Sequence, residues 1–448
     1  MKDVKKLLER ATRPQKISTE LHRFYVGKVE MVPKCRISSY DDFSIWYTPG
    51  VASPCMEIHK FKDASFELTN RGNTVAVVSD GSRVLGLGNI GPEAAMPVME
   101  GKAILYKYLG GVDAFPVCLK TTDAEEIIKT VKYVEPSFGG INLEDIEQPK
   151  CFYILDRLRA EMEIPVWHDD QQGTATVVLA GLINALKIVK KKIDKVRVTM
   201  LGAGAANIAI ARLLFKAGVD PAKTIMLDSK GTLHKGREEL KEKYREKWEM
   251  CQITNERQIV GGLKEALEGA DVLVAMSTPG PDVVKKDWIK KMNKDSIVFV
   301  CANPVPEIWP WEAKEAEARI VATGRSDFPN QINNSLGFPG IFRGTLDVKG
   351  KTITDEMCIE AAYALAEYAE KKGISENYII PKMSEWKAYV EEAVRVGLKA
   401  IKEGVARIKL SKEELYKKAE YMIKRARKEV EVFMKKGFIK KSPKRLEL

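Results

Sequence analysis

The 448-residue sequence predicts a two-domain α/β protein with a helical C-terminus, on three observations. Between residues 73 and 162, short apolar runs alternate with stretches of helical periodicity, the pattern of a largely parallel sheet. From Val196 a second block opens with a strand that runs into a glycine-rich turn and then a helix. After Asp355 the apolar residues recur at helical spacing to the end. A chain of this length exceeds the usual size of one core. Boundaries are expected at 1–165, 166–390 and 391–448.

The net charge of +11 invites a nucleic-acid partner, but its distribution argues against one. From Lys402 onward there are 16 Lys and Arg against 7 Asp and Glu, so the rest of the chain is close to neutral. In that tail Leu415, Ala419, Met422, Ile423, Ala426, Val430 and Phe433 share one helical face, which predicts a helix packed on the body or on a partner subunit. No basic segment followed by an apolar run opens the chain, and no stretch approaches the roughly 20 apolar residues of a membrane span. A cytoplasmic protein without membrane or nucleic-acid partners is expected. The seven cysteines are scattered without a C-x-x-C pair and the four histidines lack zinc spacing, so neither disulfides nor structural zinc are expected.

In chain order, residues 1 to about 40 read as an arm with a basic amphipathic start and an extended continuation. Tyr47-Thr48-Pro49-Gly50 is a turn ahead of a short helix, and Tyr47 by itself reads as a half-buried anchor. From Asn73 the pattern is a hairpin turning at Asp80-Gly81. Its second strand carries Arg83, either a surface ion pair or a carboxylate clamp. Ala94–Leu109 is a helix in which Lys102 lies among apolar residues, so it either snorkels to water or has a lowered pKa. Strand AFPVCLKT, helix Asp123–Val134, strand GGINLED, helix Cys151–Met162 and strand Ile164–Val166 follow. WHDDQQGTA then opens an apolar helix to about Lys190. Two carboxylate pairs, Glu144-Asp145 and Asp169-Asp170, thus end apolar segments, and brought together they suit a hard divalent cation. The alternative for Asp169-Asp170 is helix capping.

In the second block, VRVTML runs into Gly202-Ala203-Gly204-Ala205-Ala206-Asn207, and strand TIMLD ends at Asp228. This is a Rossmann-like dinucleotide site. The first glycine permits the turn, the second lets backbone approach a pyrophosphate, and the helix N-terminus faces the anion. Asn207 stands where a third glycine is usual. Asp228 alone would accept from an adenosine ribose and favours NAD, whereas Ser229 and Lys230, with Lys235 and Arg237 close behind, put cations beside that position. Further strands at ADVLVAMST, SIVFVCANP and ARIVATG end in small or polar residues. Asn303, Asn333 and Asn334 after such ends either cap loops or bind a substrate carboxylate.

With these residues collected, the chain resembles the malic enzymes of the short bacterial and archaeal type. YTPGVA (47–52), SDGSRVLGLGNIG (79–91), EGKA (100–103), NLEDI (142–146), HDDQQGTA (168–175), LGAGAA (201–206), ANP (302–304) and NQINNSLGFPGIFRG (330–344) occur in that order. The resemblance covers residues 20 to about 390 and leaves out the basic tail. It implies a malic-type N-terminal α/β domain and oxidative decarboxylation of (S)-malate to pyruvate and carbon dioxide with reduction of NAD(P). A malolactic or oxaloacetate-decarboxylating enzyme using the same site is the alternative. On matching residues it implies that Glu144, Asp145 and Asp170 ligate Mg²⁺ or Mn²⁺. Lys102 is the general base and touches substrate, Tyr47 is the general acid and Asp169 supports them. Arg83, Asn303 and Asn333 or Asn334 hold the substrate carboxylates. Gly202, Ala203, Gly204, Ala205, Ala206, Asp228, Ser229 and Lys230 bind the cofactor. The DSKG sequence favours NADP, with NAD possible, and a homodimer or higher homo-oligomer is expected.

Overall fold

The computed structural model describes the backbone of residues 2–447 and the side chains of residues 12–447. Helix α1 (Lys2–Tyr25) precedes an extended segment. The arm expected over residues 1 to 40 is thus helical through its amphipathic start and extended beyond it, as its sequence suggests. Strand β1 (Thr74–Ser79) is buried along its whole length, as a strand covered on both faces must be. Helix α2 (Pro92–Gly110) starts with proline in its first turn and stops at Gly111, which takes the left-handed conformation at φ 64°. Then come β2 (Asp113–Cys118), α3 (Ala124–Val134), β3 (Gly140–Leu143), α4 (Lys150–Glu161) and β4 (Val166–His168). The four strands form a parallel sheet in the order β2-β1-β3-β4.

The expected hairpin is absent: after β1 the chain turns at Asp80-Gly81 into a loop whose only ladder is a bridge between Val84 and Gly88. The sequence RVLGLG has strand-like residues, but its backbone bonds elsewhere, Arg83 N donating to the Asp145 carbonyl at 3.0 Å. Strand β4 hydrogen-bonds to β3, so the first sheet extends to His168, past residue 165.

Helix α5 (Thr174–Val189) leads out of this sheet with twelve of its sixteen residues buried. Together with the turn before it, the segment Asp169–Val189 has the length and hydropathy of a membrane span, contrary to the expectation that no stretch approaches one, but most of it is packed inside the protein. The second sheet contains β5 (Val198–Leu201), β6 (Thr224–Asp228), β7 (Gly231–Thr232), β8 (Val272–Ala275), β9 (Ile297–Val300) and β10 (Ile320–Thr323), in the order β10-β9-β8-β5-β6-β7. All pairs are parallel except β6 with β7. The chain winds one way from β5 to β7 and the other way from β8 to β10, so the switch point lies between the carboxyl ends of β5 and β8, where such sheets take their ligands. Helix α6 (Ala205–Lys216) follows β5 directly, and α7 (Arg245–Ile253) lies between β7 and β8.

Four helices complete the chain: α8 (Phe338–Asp347), α9 (Asp355–Lys372), α10 (Lys387–Lys402) and α11 (Lys412–Lys436). Helix α11 buries Leu415, Ala419, Ile423 and Ala426, most of the face expected from its periodicity, and its charges occupy the rest. A buried ion pair ties α8 to the first sheet. Arg343 holds Asp347 at 2.7 Å and donates to the Asn73 side chain at 2.6 Å just before β1.

Candidate active site

Strand register brings the carboxylates together. Leu143 at the end of β3 pairs with His168 at the end of β4, so the next residues, Glu144 and Asp169, leave neighbouring strands side by side. Asp145 then turns with φ 55°, a left-handed conformation that aspartate tolerates better than most residues. Its amide donates to Asp170 Oδ2 at 2.9 Å. One oxygen each from Glu144, Asp145 and Asp170 lie within 4.8 Å of one another. Glu144 and Asp145 are buried and Asp170 half-buried, and Asp145 Oδ2 has no hydrogen-bond partner among the described residues. Burial, then repulsion from Asp170, pushes Asp145 up to about 8. Glu144 is raised by burial and by its three acidic neighbours, with Lys102 opposing. A buried all-oxygen donor set with surplus negative charge fits a hard divalent cation.

Lys102, on α2, does not snorkel. It is buried between the two strand ends, with Nζ 2.9 Å from Glu144 and 2.5 Å from Asp169, and above the Phe338 ring at 4.5 Å. The lowered pKa offered as the other reading is also not what the protein groups produce. Burial lowers it, but Asp169 and Glu144 outweigh burial and the net shift is upward. Lys102 is one link of a buried chain of bonds. Tyr106 donates to Asn142 at 2.7 Å, Asn142 to Glu144 at 2.9 Å, Lys102 binds both acids, and the Trp167 indole donates to Asp169 at 3.0 Å. Sequence reading passed over Tyr106, Asn142 and Trp167, although a polar asparagine inside the apolar run GGINLED was a signal.

Neither aspartate of HDDQQG caps a helix. Residues Asp169–Gly173 form a single wide turn before α5, and their side chains are committed to Lys102, Trp167 and Asp145. The turn closes so tightly that a Cβ on Gly173 would lie 2.0 Å from Asp169 Oδ1. Gly173→Ala therefore must displace Asp169 from Lys102, and kcat is expected to fall by about a hundredfold, the cost of misplacing a reacting group by an ångström. Steady-state kinetics on a variant with unchanged circular dichroism checks this.

The remaining expected substrate residues divide. Arg83 is exposed at the rim, close enough that its charge lowers the Asp145 pKa. Asn334 is half-buried, with its Cβ beside Gly173. Asn333 instead caps a short turn, accepting from Ser335 N at 3.0 Å and donating to the Gly324 carbonyl at 3.1 Å. That use favours Asn334 over Asn333 for substrate. Asn303 is half-buried after β9, next to Gly324. Tyr47 is 71% exposed, on a segment that bonds within itself, as from Trp46 Nε1 to the Arg36 carbonyl at 3.0 Å, and reaches the body through Lys28 Nζ on the Pro97 carbonyl at 2.5 Å and Lys34 Nζ on Asn70 Oδ1 at 2.9 Å. The half-buried anchor is not observed, and this chain alone shows no bond from Tyr47 to the carboxylates among the described residues.

The crevice of the second sheet likewise opens at the carboxyl ends of its strands. Gly202 has φ 97° and abuts the Met276 carbonyl, so no side chain fits there, whereas a Cβ on Gly204 would meet nothing within 4 Å. That open space above a helix N-terminus suits a pyrophosphate. Asn207 takes the third glycine's place because its amide donates to the carbonyls of Leu201 and Gly202, both at 2.8 Å, fastening α6 to the turn. Ser229 and Lys230 form the two-residue turn between β6 and β7. The loops after β8 and β9 are braced by the buried Glu307, which accepts from Ser277 N at 2.8 Å and Ala302 N at 3.1 Å. Burial, against those bonds, pushes this carboxyl up to about 7. A raised acid stabilises the fold fully below its unfolded pKa and loses that contribution as pH rises through its folded value. Relative to Glu307→Gln, the wild type is expected to lose on the order of 3 kcal/mol of unfolding free energy between pH 4.5 and 8, on top of a constant cost for the acceptor lost. Denaturant titrations across that range measure it.

Two family models cover most of the chain: malic enzyme, N-terminal domain, over residues 26–159, and malic enzyme, NAD binding domain, over residues 171–403. The chain is 48% identical over 398 residues to the bifunctional malic/malolactic enzyme of Bacillus subtilis, covering 89% of this chain and 96% of that one. It is 51% identical over 380 residues to the NAD-dependent malic enzyme of Geobacillus stearothermophilus, covering 83% and 78%. The crystal structure of Entamoeba histolytica malic enzyme superposes with a TM-score of 0.95 at 49% identity, covering 98% of this chain and 92% of that chain. With the lysine-carboxylate cluster at one sheet edge and the glycine turn at the other, these matches show that the chain belongs to the malic enzyme family.

Proposed function

We propose that the chain oxidatively decarboxylates (S)-malate to pyruvate and carbon dioxide while reducing NAD(P), and does so in the cytoplasm. The observation that carries the residue roles is Lys102, held between Glu144 and Asp169 beside the three-carboxylate cluster. Glu144, Asp145 and Asp170 hold Mg²⁺ or Mn²⁺, which when bound supplies a Lewis acid for the substrate oxygens and the enolate charge. Lys102 would take the substrate's C2 hydroxyl proton, and a nicotinamide held in the Gly202–Gly204 crevice would supply the hydride acceptor. Glu144, if it held a cation, would offset less of the burial that disfavours the charged lysine, which would favour the neutral form a base requires. Asp169 keeps the amine aimed. Arg83, Asn303 and Asn334 orient the substrate carboxylates, and loss of carbon dioxide from the β-keto acid leaves an enolate to be protonated at carbon.

Tyr47 is the proposed acid, and its exposure sets a condition. Its segment carries Val26, Met31, Tyr40 and Phe61, all more than two-thirds exposed, an apolar surface of the kind that marks an interface. We infer a homodimer in which a second copy covers this segment and receives Tyr47 over its cluster. Mixed Tyr47→Phe and Lys102→Ala chains, refolded together, are expected to regain about a quarter of wild-type turnover, since each hybrid dimer restores one complete site. No recovery in chains shown to form hybrids would place Tyr47 in its own subunit or outside the reaction.

The assay for the reaction follows the absorbance of reduced nicotinamide with malate, Mn²⁺ and each cofactor. The Bacillus subtilis relative's name supports a second reading, malolactic conversion. Lactate formed without free NAD(P)H would select it.

A further inference from the structure

One buried acid has no part in the cluster around Lys102. Glu392, on α10, is fully buried, and neither of its carboxyl oxygens has a hydrogen-bond partner among the described residues. Its neighbours along that helix face, Tyr389, Ala393, Val396 and Ala400, belong to the core. A leucine or methionine would fill a similar volume without desolvating two oxygens, so packing alone does not account for an acid here. Burial pushes the carboxyl well above its ordinary range, which favours the neutral acid and spares the interior an unpaired charge.

What this carboxyl touches is the helix behind Lys102. A Cβ on Gly340 would lie 2.0 Å from Glu392 Oε2, and the three atoms nearest to it all belong to Glu392. The carboxyl therefore fills the space that any other residue at position 340 needs. One turn earlier on α10, the Tyr389 hydroxyl donates to the Ser335 carbonyl at 3.2 Å, so the segment 335–340 is held from behind at both ends. Its other side faces the site. Asn334 precedes it, with its Cβ beside Gly173, and the Phe338 ring within it lies 4.5 Å from Lys102 Nζ and 4.5 Å from the Tyr106 ring. Further along α8, a Cβ on Gly344 would lie 2.2 Å from the Ala393 carbonyl oxygen, so backbone meets backbone there and a change at Gly340 falls on the first turn.

We propose that Glu392 is a positioning residue for malate turnover: its carboxyl, seated in the Gly340 slot, sets the depth of the first turn of α8, and with it the placement of Phe338 against Lys102 and of Asn334 toward the substrate. This rests on the proposed roles of Lys102 and Asn334. The pair Glu391-Glu392 gives no sign of it in the sequence, because only the helix geometry turns the second acid fully into the core.

Steady-state kinetics of the full-length protein, with malate and dinucleotide varied in turn and thermal unfolding measured alongside, tests the proposal. Glu392→Ala should lower kcat roughly tenfold to a hundredfold, the scale of a misplacement of about an ångström, and raise KM for malate while leaving KM for the dinucleotide unchanged. Glu392→Gln keeps the shape without a charge and should restore most of the rate. Gly340→Ala should be as impaired as Glu392→Ala, and adding it to Glu392→Ala should cost less than about twofold more, because the slot is then empty. Should Glu392→Ala fail to fold, Gly340→Ala and Glu392→Gln decide. Wild-type kinetics in Glu392→Ala or Gly340→Ala with only a lower Tm, an equal loss in Glu392→Gln, or losses that multiply in the double variant would overturn the proposal and leave the roles of Lys102 and Asn334 standing. A wild type that does not turn over malate would overturn both.

Discussion

Replacing Lys102 by alanine is expected to reduce turnover with malate by two to four orders of magnitude, roughly the contribution of a positioned general base. The variant also removes the cation between Glu144 and Asp169, which are buried, so a loss of several kcal/mol in stability accompanies it. Lys102→Arg separates the two effects. Arginine keeps the charge that holds the acids together but stays protonated at any working pH, so the fold should survive and the activity should not. Steady-state kinetics with unfolding curves on both variants check this, and substantial turnover in the arginine variant would rule out Lys102 as the base.

The second large effect is expected from Asp170→Asn. Asp170 is about one-third exposed, and the acceptor that its Oδ2 offers to Asp145 N can be kept by the asparagine carbonyl, so the fold should be undisturbed. What changes is one formal charge in a set of three. If the Lewis acid held there is worth several kcal/mol of barrier, losing its proper ligation costs kcat/KM at least a hundredfold. Raising the Mn²⁺ concentration should recover part of that loss, which distinguishes a ligand from a group that merely shapes the pocket.

The parts of this site that were legible in the sequence are those fixed by short spacing. Gly202 and Gly204 follow a strand and open a helix, and Glu144-Asp145 and Asp169-Asp170 end strands, so their common edge follows from a parallel sheet. The side chains across the gaps were not legible. Lys102 was seen as out of place, but which way its pKa moves depends on two acids more than 40 residues further along the chain. Asn333 and Asn334 are neighbours in sequence, and only the structure shows that Asn333 is occupied in capping a turn. The hairpin expected after Asp80 failed because the backbone of Arg83 is recruited by Asp145, a long-range bond that strand propensity does not contain.

The central claim is that Glu144, Asp145 and Asp170 form a divalent-cation site, and titration calorimetry of Mn²⁺ into the wild type and Asp170→Asn tests it most directly. The wild type should bind one Mn²⁺ per chain, and the variant, with its fold intact by circular dichroism, should bind it at least tenfold more weakly. A variant that binds Mn²⁺ with wild-type affinity and stoichiometry would contradict the assignment.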